Sequence, residues 1–296
     1  MSLEQVLQYI LSGVTNGSIY AIVAIGFNII YNTTGIINFA QGEFLMLGGM
    51  TAISLAAFVP LPLAILAAVV ITAIIGALVD FVFIRRLKTP SVLNMIIVTI
   101  GLSIVIREIA LHVWDEKVRS LPYFTGSEVT SVSILGAYIS PQVLWVLGIA
   151  AVIVVFLGFF FKFTLTGRSM RACAANMTAA KLCGINTGAM VTVSFMLSAA
   201  IGALAGCAIS PITQTQYDCG TPLAIKGFTV AILGGLGNST GAVVGGMVVG
   251  MLEAFSISVL PLAYKDAIAI TILLLILFVK PSGLLGKKEA AGLKEF

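Results

Sequence analysis

Nine apolar stretches leave this chain little choice of solvent. They run over 7–31, 39–58, 61–84, 92–113, 142–161, 189–210, 224–236, 241–260 and 266–279, and most come close to the roughly 20 residues a helix needs to cross a bilayer core. A membrane β-barrel would show short alternating segments instead. Only 9% of residues are charged and 59% are hydrophobic, where a soluble domain carries about 25% charge. With a mean hydropathy of +1.11, the chain reads as an all-α polytopic membrane protein, with 1–296 forming a single transmembrane domain. The first ten residues lack Lys, Arg and a small-residue cleavage site, so no removable signal peptide is expected.

Two stretches are poor full crossings. The 224–236 segment is short, and 39–58 is interrupted by Gly42, Gly48 and Gly49. Eight or nine transmembrane helices follow, with broken or re-entrant segments near 36–50 and 222–238. Basic residues set the orientation. Arg85, Arg86 and Lys88 fall in one connection, Lys162, Arg168, Arg171 and Lys181 in a second, and Lys280, Lys287, Lys288 and Lys294 in the tail. All three lie on one side if 92–113 and 142–161 both cross, so that side, with the C-terminus, is read as cytosolic. The connection 114–141 is then an external loop, mixing Asp115, Glu116 and Glu128 with Lys117 and Arg119. Nine crossings put the N-terminus outside; eight put it inside. The net charge of +4 sits in these loops and signals no nucleic-acid partner.

A weak internal repeat links the broken segments. Asn38-Phe39-Ala40-Gln41-Gly42-Glu43-Phe44 leads into Leu47-Gly48-Gly49, and Ala224-Ile225-Lys226-Gly227-Phe228 leads into Leu233-Gly234-Gly235. Five spans between the copies would invert one relative to the other, a probable inverted repeat. Paired interrupted segments in two halves point to a transport site. Asn38, Gln41, Gly42, Glu43, Gln214, Gln216, Lys226 and Gly227 are therefore the candidate substrate-pathway residues. Glu43 has two readings: a charge lining the pathway, or a first-turn acid favoured by the helix dipole. Lys226 stands at the matching place and is a partner for Glu43, an anionic substrate group or the interface. Glu253, in the middle of an apolar run, needs a partner, either a helix neighbour or the Lys226 ammonium, and reads as a structural polar contact. Arg107 and Glu108 read as a pair near a span end and His112 as a surface residue.

The hydrophilic stretch of about 164–188 is the other anomaly. Its core GRSMRACAANMTAAKLCGIN carries three basic residues and no acid. Thr166 is the expected helix N-cap, Asn176 the expected division into two short helices, and Gly184 the expected stop. Arg168 and Arg171 share a face at i, i+3. A basic loop that only sets topology is the plain alternative to a docking element for a soluble partner. Cys173, Cys183, Cys207 and Cys219 have no metal-like spacing and read as small packing residues. GGLGNSTG lacks the Lys of a phosphate loop, and neither H-E-x-x-H nor G-x-S-x-G occurs. The chain is expected to be no enzyme, with no catalytic residues and no metal.

NFAQGEF, GRSMRACAANMTAAKLCGIN and GTPLAIKGFTVAILGGLGNSTGAVVGGMVVGMLE, in that order, resemble the LivH-type permeases of branched-chain amino-acid ABC importers, over about Gly13 to Gly283. The resemblance implies one half of a bacterial inner-membrane pore, paired with a LivM-type permease as a heterodimer. Two cytosolic ATPase subunits and an external substrate-binding protein complete it. ATP and Mg belong to the ATPase partners, and this chain binds no cofactor. The family's E-A-A-x-x-x-G docking signature falls on Thr178, Ala179, Ala180 and Gly184, with Thr replacing Glu. Arg168 and Arg171 are further candidate contacts for ATPase coupling. The implied activity is import of an amino acid or a similar small polar solute by alternating access. An ion-coupled secondary transporter, or a passive channel for a neutral solute such as urea, is the alternative.

Overall fold

The computed structural model describes residues 3–87, 92–127, 130–134 and 137–258, and of the C-terminal stretch 267, 270–271, 274–276, 278, 280 and 282–286. Most of the expected span 266–279, and Lys88, Glu128, Lys287, Lys288 and Lys294, lie outside the described residues. Each of the other eight apolar runs becomes a helix. In order these are α1 (Leu3–Thr34), α2 (Gln41–Ala56), α3 (Leu61–Val79, continued by a π-turn Asp80–Ile84), α4 (Val92–Trp114) and α5 (Pro141–Phe163). There follow α6 (Leu165–Ala175), α7 (Met177–Leu182), α8 (Thr187–Thr213), α9 (Gly220–Gly234) and α10 (Ser239–Ser256). The expected all-α polytopic class is the observed one. A small antiparallel hairpin, β1 (Val132–Ile134) and β2 (Ala137–Ile139), sits in the 114–141 connection.

Among the described residues, six helices are long and apolar enough to cross a membrane: α1, α3 with its π-turn, α4, α5, α8 and α10. α2 and α9 have 16 and 15 residues. At 1.5 Å per residue each reaches about 24 Å or less, short of a core of about 30 Å.

Contacts at the helix ends fix the directions. Gln8 exchanges two 3.0 Å hydrogen bonds with the Tyr138 backbone, placing the start of α1 beside the hairpin. Tyr9 meets Phe255 at 5.9 Å, so α10 finishes at that end. At the opposite end Asn28 and Asn32 bond Gly237 and Asn238, just before α10. The amides of Leu284 and Leu285 bond the Leu233 and Gly234 carbonyls there, 2.7 and 3.2 Å away. Residue 8 and residues 284–285 thus occupy opposite ends of the bundle.

α1 and α8 are the most buried spans, while α3, α4 and α5 turn most of their surface outward. The close approach of α1 and α10 rests on absent side chains. A Cβ on Gly17 or Gly250 would strike the facing backbone, and helices without a hydrophobic drive between them gain from that contact. Side-chain caps at Ser140, Thr164, Asn176, Asn186 and Asn238 start α5, α6, α7, α8 and α10.

Candidate functional site

α2 and α9 begin against each other inside the bundle. A Cβ on Gly42 would overlap the Gly220 carbonyl, and one on Gly220 the Gly42 carbonyl. From that seam the two run in opposite directions. α2 follows α8 outward, with Phe44 and Leu45 beside Gly202 and then the Trp114 Nε1 donating to Ser54 Oγ at 2.7 Å. α9 follows α1 the other way, pairing Phe228 with Phe27 at 5.9 Å and ending at Gly235.

Neither N-terminus at the seam has a side-chain cap. Two helix ends carrying partial positive charge meet there, an arrangement that favours acids nearby. Glu43 supplies one, in the first turn of α2 and 1% exposed. Its Oε1 accepts from Ser103 Oγ at 2.9 Å and Thr221 Oγ1 at 3.2 Å. Asp218 and Arg107 lie within electrostatic reach. Arg107, read in the sequence as a pair with Glu108, lies on α4 within electrostatic reach of Glu43. Glu43 Oε2, Asp218 Oδ1 and Asn38 Nδ2 make no hydrogen bond with described groups.

The remaining pathway candidates divide. Gln41 is buried: its Nε2 donates to the Ser198 carbonyl at 3.3 Å, and Ser198 Oγ lies 2.6 Å from its Oε1. Asn38 is buried and accepts the Ala40 N–H at 3.1 Å. Gly42 and Gly227 are contact points, the latter against Val23. Gln214 is exposed with a φ of 58°, and Gln216 is half-buried. Both belong to the stretch that leads from the end of α8 to the seam, tied to the 114–141 connection by the Arg119–Thr215 bridge.

Lys226 does not reach Glu43. Its Nζ lies 2.8 Å from Glu253 Oε1 and 3.2 Å from the Tyr20 hydroxyl, over whose ring it also sits at 5.3 Å. The two half-helices start at 41 and 220, so the seam sets Glu43 opposite Thr221 and leaves Lys226 further along α9. Glu253 has the second of its two expected partners.

The hydrophilic stretch forms two helices at the end that carries Arg85, Lys162 and Lys181. Thr164, not Thr166, caps α6: its Oγ1 accepts the Gly167 N–H at 2.9 Å. α5 ends at Phe163 and α6 begins at Leu165, so only position 164 has the extended backbone a cap requires. Asn176 divides the segment, accepting the Ala179 N–H at 2.9 Å, and Gly184 closes it at φ 82°. Met170 and Cys173 point inward, and burial pushes the Cys173 thiol above its ordinary range. Ala180 is also buried, whereas Arg168, Arg171, Thr178, Ala179, Gly184 and 84%-exposed Leu182 form the outer surface. Asp80 belongs to no motif in the sequence. It is 1% exposed at the end of α3 and accepts from Thr192 Oγ1 of α8 at 2.6 Å. A lone acid in an apolar run, five residues before Arg85, was the available signal.

A family model described as "Branched-chain amino acid transport system / permease component" matches residues 9–277. The high-affinity branched-chain amino acid transport system permease protein BraD of Pseudomonas aeruginosa is 34% identical over 300 residues, covering 96% of each chain. LivH of Escherichia coli K12, a permease protein of the same description, is 32% identical over 298 residues, again 96% of each. The ribose import permease protein RbsC of Escherichia coli K12 is 24% identical, over 80% of this chain and 74% of that one. Among solved structures, PsaBC from Streptococcus pneumoniae in complex with Fab matches with a TM-score of 0.50 and 11% identity, over 92% of this chain and 91% of that one. At that identity the likeness concerns the fold alone.

Proposed function

The chain belongs to the family of branched-chain amino acid transport system permease components, and we propose that it is the membrane half of an ATP-driven importer. Its cargo is an amino acid of branched-chain type or a similar small polar solute, received from an external binding protein and released into the cytosol. The observation that carries this reading is the α6–α7 surface. Two capped helices without an acid lie between spans α5 and α8 and present Arg168, Arg171 and Leu182 outward. A loop that only sets topology needs charge but no capped, ordered surface with an exposed leucine.

That surface is the docking site for one of two cytosolic ATPase subunits, with Thr178, Ala179, Ala180 and Gly184 at its centre. ATP and Mg are held by those subunits, not by this chain. A related permease of LivM type supplies the other half of the pore. The same end carries the basic residues, which makes it cytosolic in a bacterial inner membrane, with the C-terminus on that side and the N-terminus outside. Closure of the ATPases moves α6–α7, and α5 and α8 carry the motion to the α2–α9 seam. Asn38, Gln41, Glu43, Gln214, Gln216 and Lys226 flank the route that opens there. At the seam the Gly42 and Gly220 backbones are in contact, so the route forms by separation of the two half-helices.

Arg171→Glu and Gly184→Trp test the docking surface in the complete complex. Both should insert normally while uptake falls relative to ATP hydrolysis. Normal uptake per ATP in both variants would reduce α6–α7 to a topology signal.

A further inference from the structure

Asp80 and Arg85 lie where α3 reaches the basic end. The π-turn there is closed by the Arg85 N–H bonding the Asp80 carbonyl at 2.9 Å, a five-residue step. In an α-helix residues five apart point about 140° away from each other. The wider turn brings the two side chains to one side, 3.6 Å apart, facing the first turns of α8. Thr192 Oγ1 stands between them: it accepts from Arg85 Nη2 at 2.6 Å and donates to Asp80 Oδ2 at 2.6 Å. Arg85 Nη2 also donates to the Gly188 carbonyl at 2.9 Å. One guanidinium thus holds both the backbone of the first turn of α8 and the hydroxyl of its second. Further along, Gly76 rests on Phe195 and Ala199, leaving no room for a side chain between the two helices.

The position matters because α8 begins immediately after α7 and Gly184. A carboxylate this buried among apolar helices is costly unless fully engaged. Holding two helices together does not require one, since glycine and alanine contacts already do so above it. A charged clamp at the root of α8 adds directional hydrogen bonds to that packing at the point where α8 leaves the docking helices.

We propose that Asp80, Thr192 and Arg85 form a positioning clamp that joins α3 to the root of α8, so that displacement of α6–α7 moves both spans as one body. This rests on the reading of α6–α7 as the ATPase-docking surface. None of the three touches cargo or nucleotide in this scheme; they act through α8.

The test uses the complete complex in proteoliposomes, with the binding protein, and reads substrate imported per ATP hydrolysed. Thr192→Val removes the bridging hydroxyl at nearly constant volume, and Thr192→Ser restores it. Asp80→Asn removes the charge and keeps an oxygen acceptor. Thr192→Val and Asp80→Asn should assemble and hydrolyse ATP, with import per ATP reduced about fivefold or more, the lower range of coupling between distant sites. Thr192→Ser should recover it. Unchanged import per ATP in Thr192→Val would overturn the clamp. A parallel loss of hydrolysis and import that tracks the amount of assembled complex would overturn it too, leaving only a structural brace. Uptake by the unmodified complex without ATP would instead refute the transport reading beneath it.

Discussion

Lys226 and Glu253 close a 2.8 Å ion pair between α9 and α10, with the Glu253 side chain 1% exposed and the Lys226 side chain 16%. Removing one partner takes the 2.8 Å counter-charge from the other, at a cost of up to about 3–5 kcal/mol. Removing both leaves no charge there. Lys226→Met and Glu253→Gln should therefore each lower the thermal stability of the purified complex sharply, and the double variant should recover much of the loss. Thermal unfolding of the three variants decides it; additive losses would show that the pair contributes only packing.

The seam between Gly42 and Gly220 makes a steric prediction. Because a Cβ on either would enter the other's backbone, Gly42→Ala and Gly220→Ala should each cost about 1–3 kcal/mol through forced separation of α2 and α9. Gly148→Ala, where a Cβ meets nothing within 4 Å, is the control. Unfolding midpoints of the three check the ranking.

Thiol labelling reads both burial and side. Cys183 is exposed on the proposed docking surface, while Cys173 and Cys207 are buried and the Cys173 thiol is held further toward its protonated, unreactive form. With the ATPase subunits stripped off, a membrane-impermeant maleimide should label Cys183 quickly in inside-out vesicles and not in right-side-out ones. Rapid labelling from the outer side would invert the assigned topology.

The caps of α6 and α7 can be tested singly. Asn176→Ala removes the acceptor of the Ala179 N–H and should cost about 1 kcal/mol, with Asn176→Asp nearly neutral. Hydrogen exchange of the α7 amides reports the difference directly.

The helices were legible in the sequence because each span is one long apolar run with a polar end. The expected 61–84, 92–113 and 142–161 differ from α3 with its π-turn, α4 and α5 by at most two residues at an end. Asn176 and Gly184 were legible because capping and left-handed closure depend on local residue chemistry. What escaped was set by tertiary neighbours. The pairing of Lys226 with Glu253 rather than Glu43 depends on where two half-helices start, and the repeat aligned residues that the seam does not bring together. Asp80 escaped because an acid inside an apolar run reveals neither its partner on α8 nor the π-turn that aims it. The burial of Asn38, Gln41 and Glu43 was equally hidden, since polarity at a broken helix suggests an open path while the bundle packs over it.

In the proposed mechanism, transport is driven by ATP on partner subunits through α6–α7. Uptake of radiolabelled leucine into proteoliposomes holding the assembled complex, with loaded binding protein on the binding-protein side, measures it directly. Uptake should require ATP on the ATPase side and persist when ionophores dissipate every ion gradient. Uptake that continues without ATP and stops when the gradients are collapsed would contradict it.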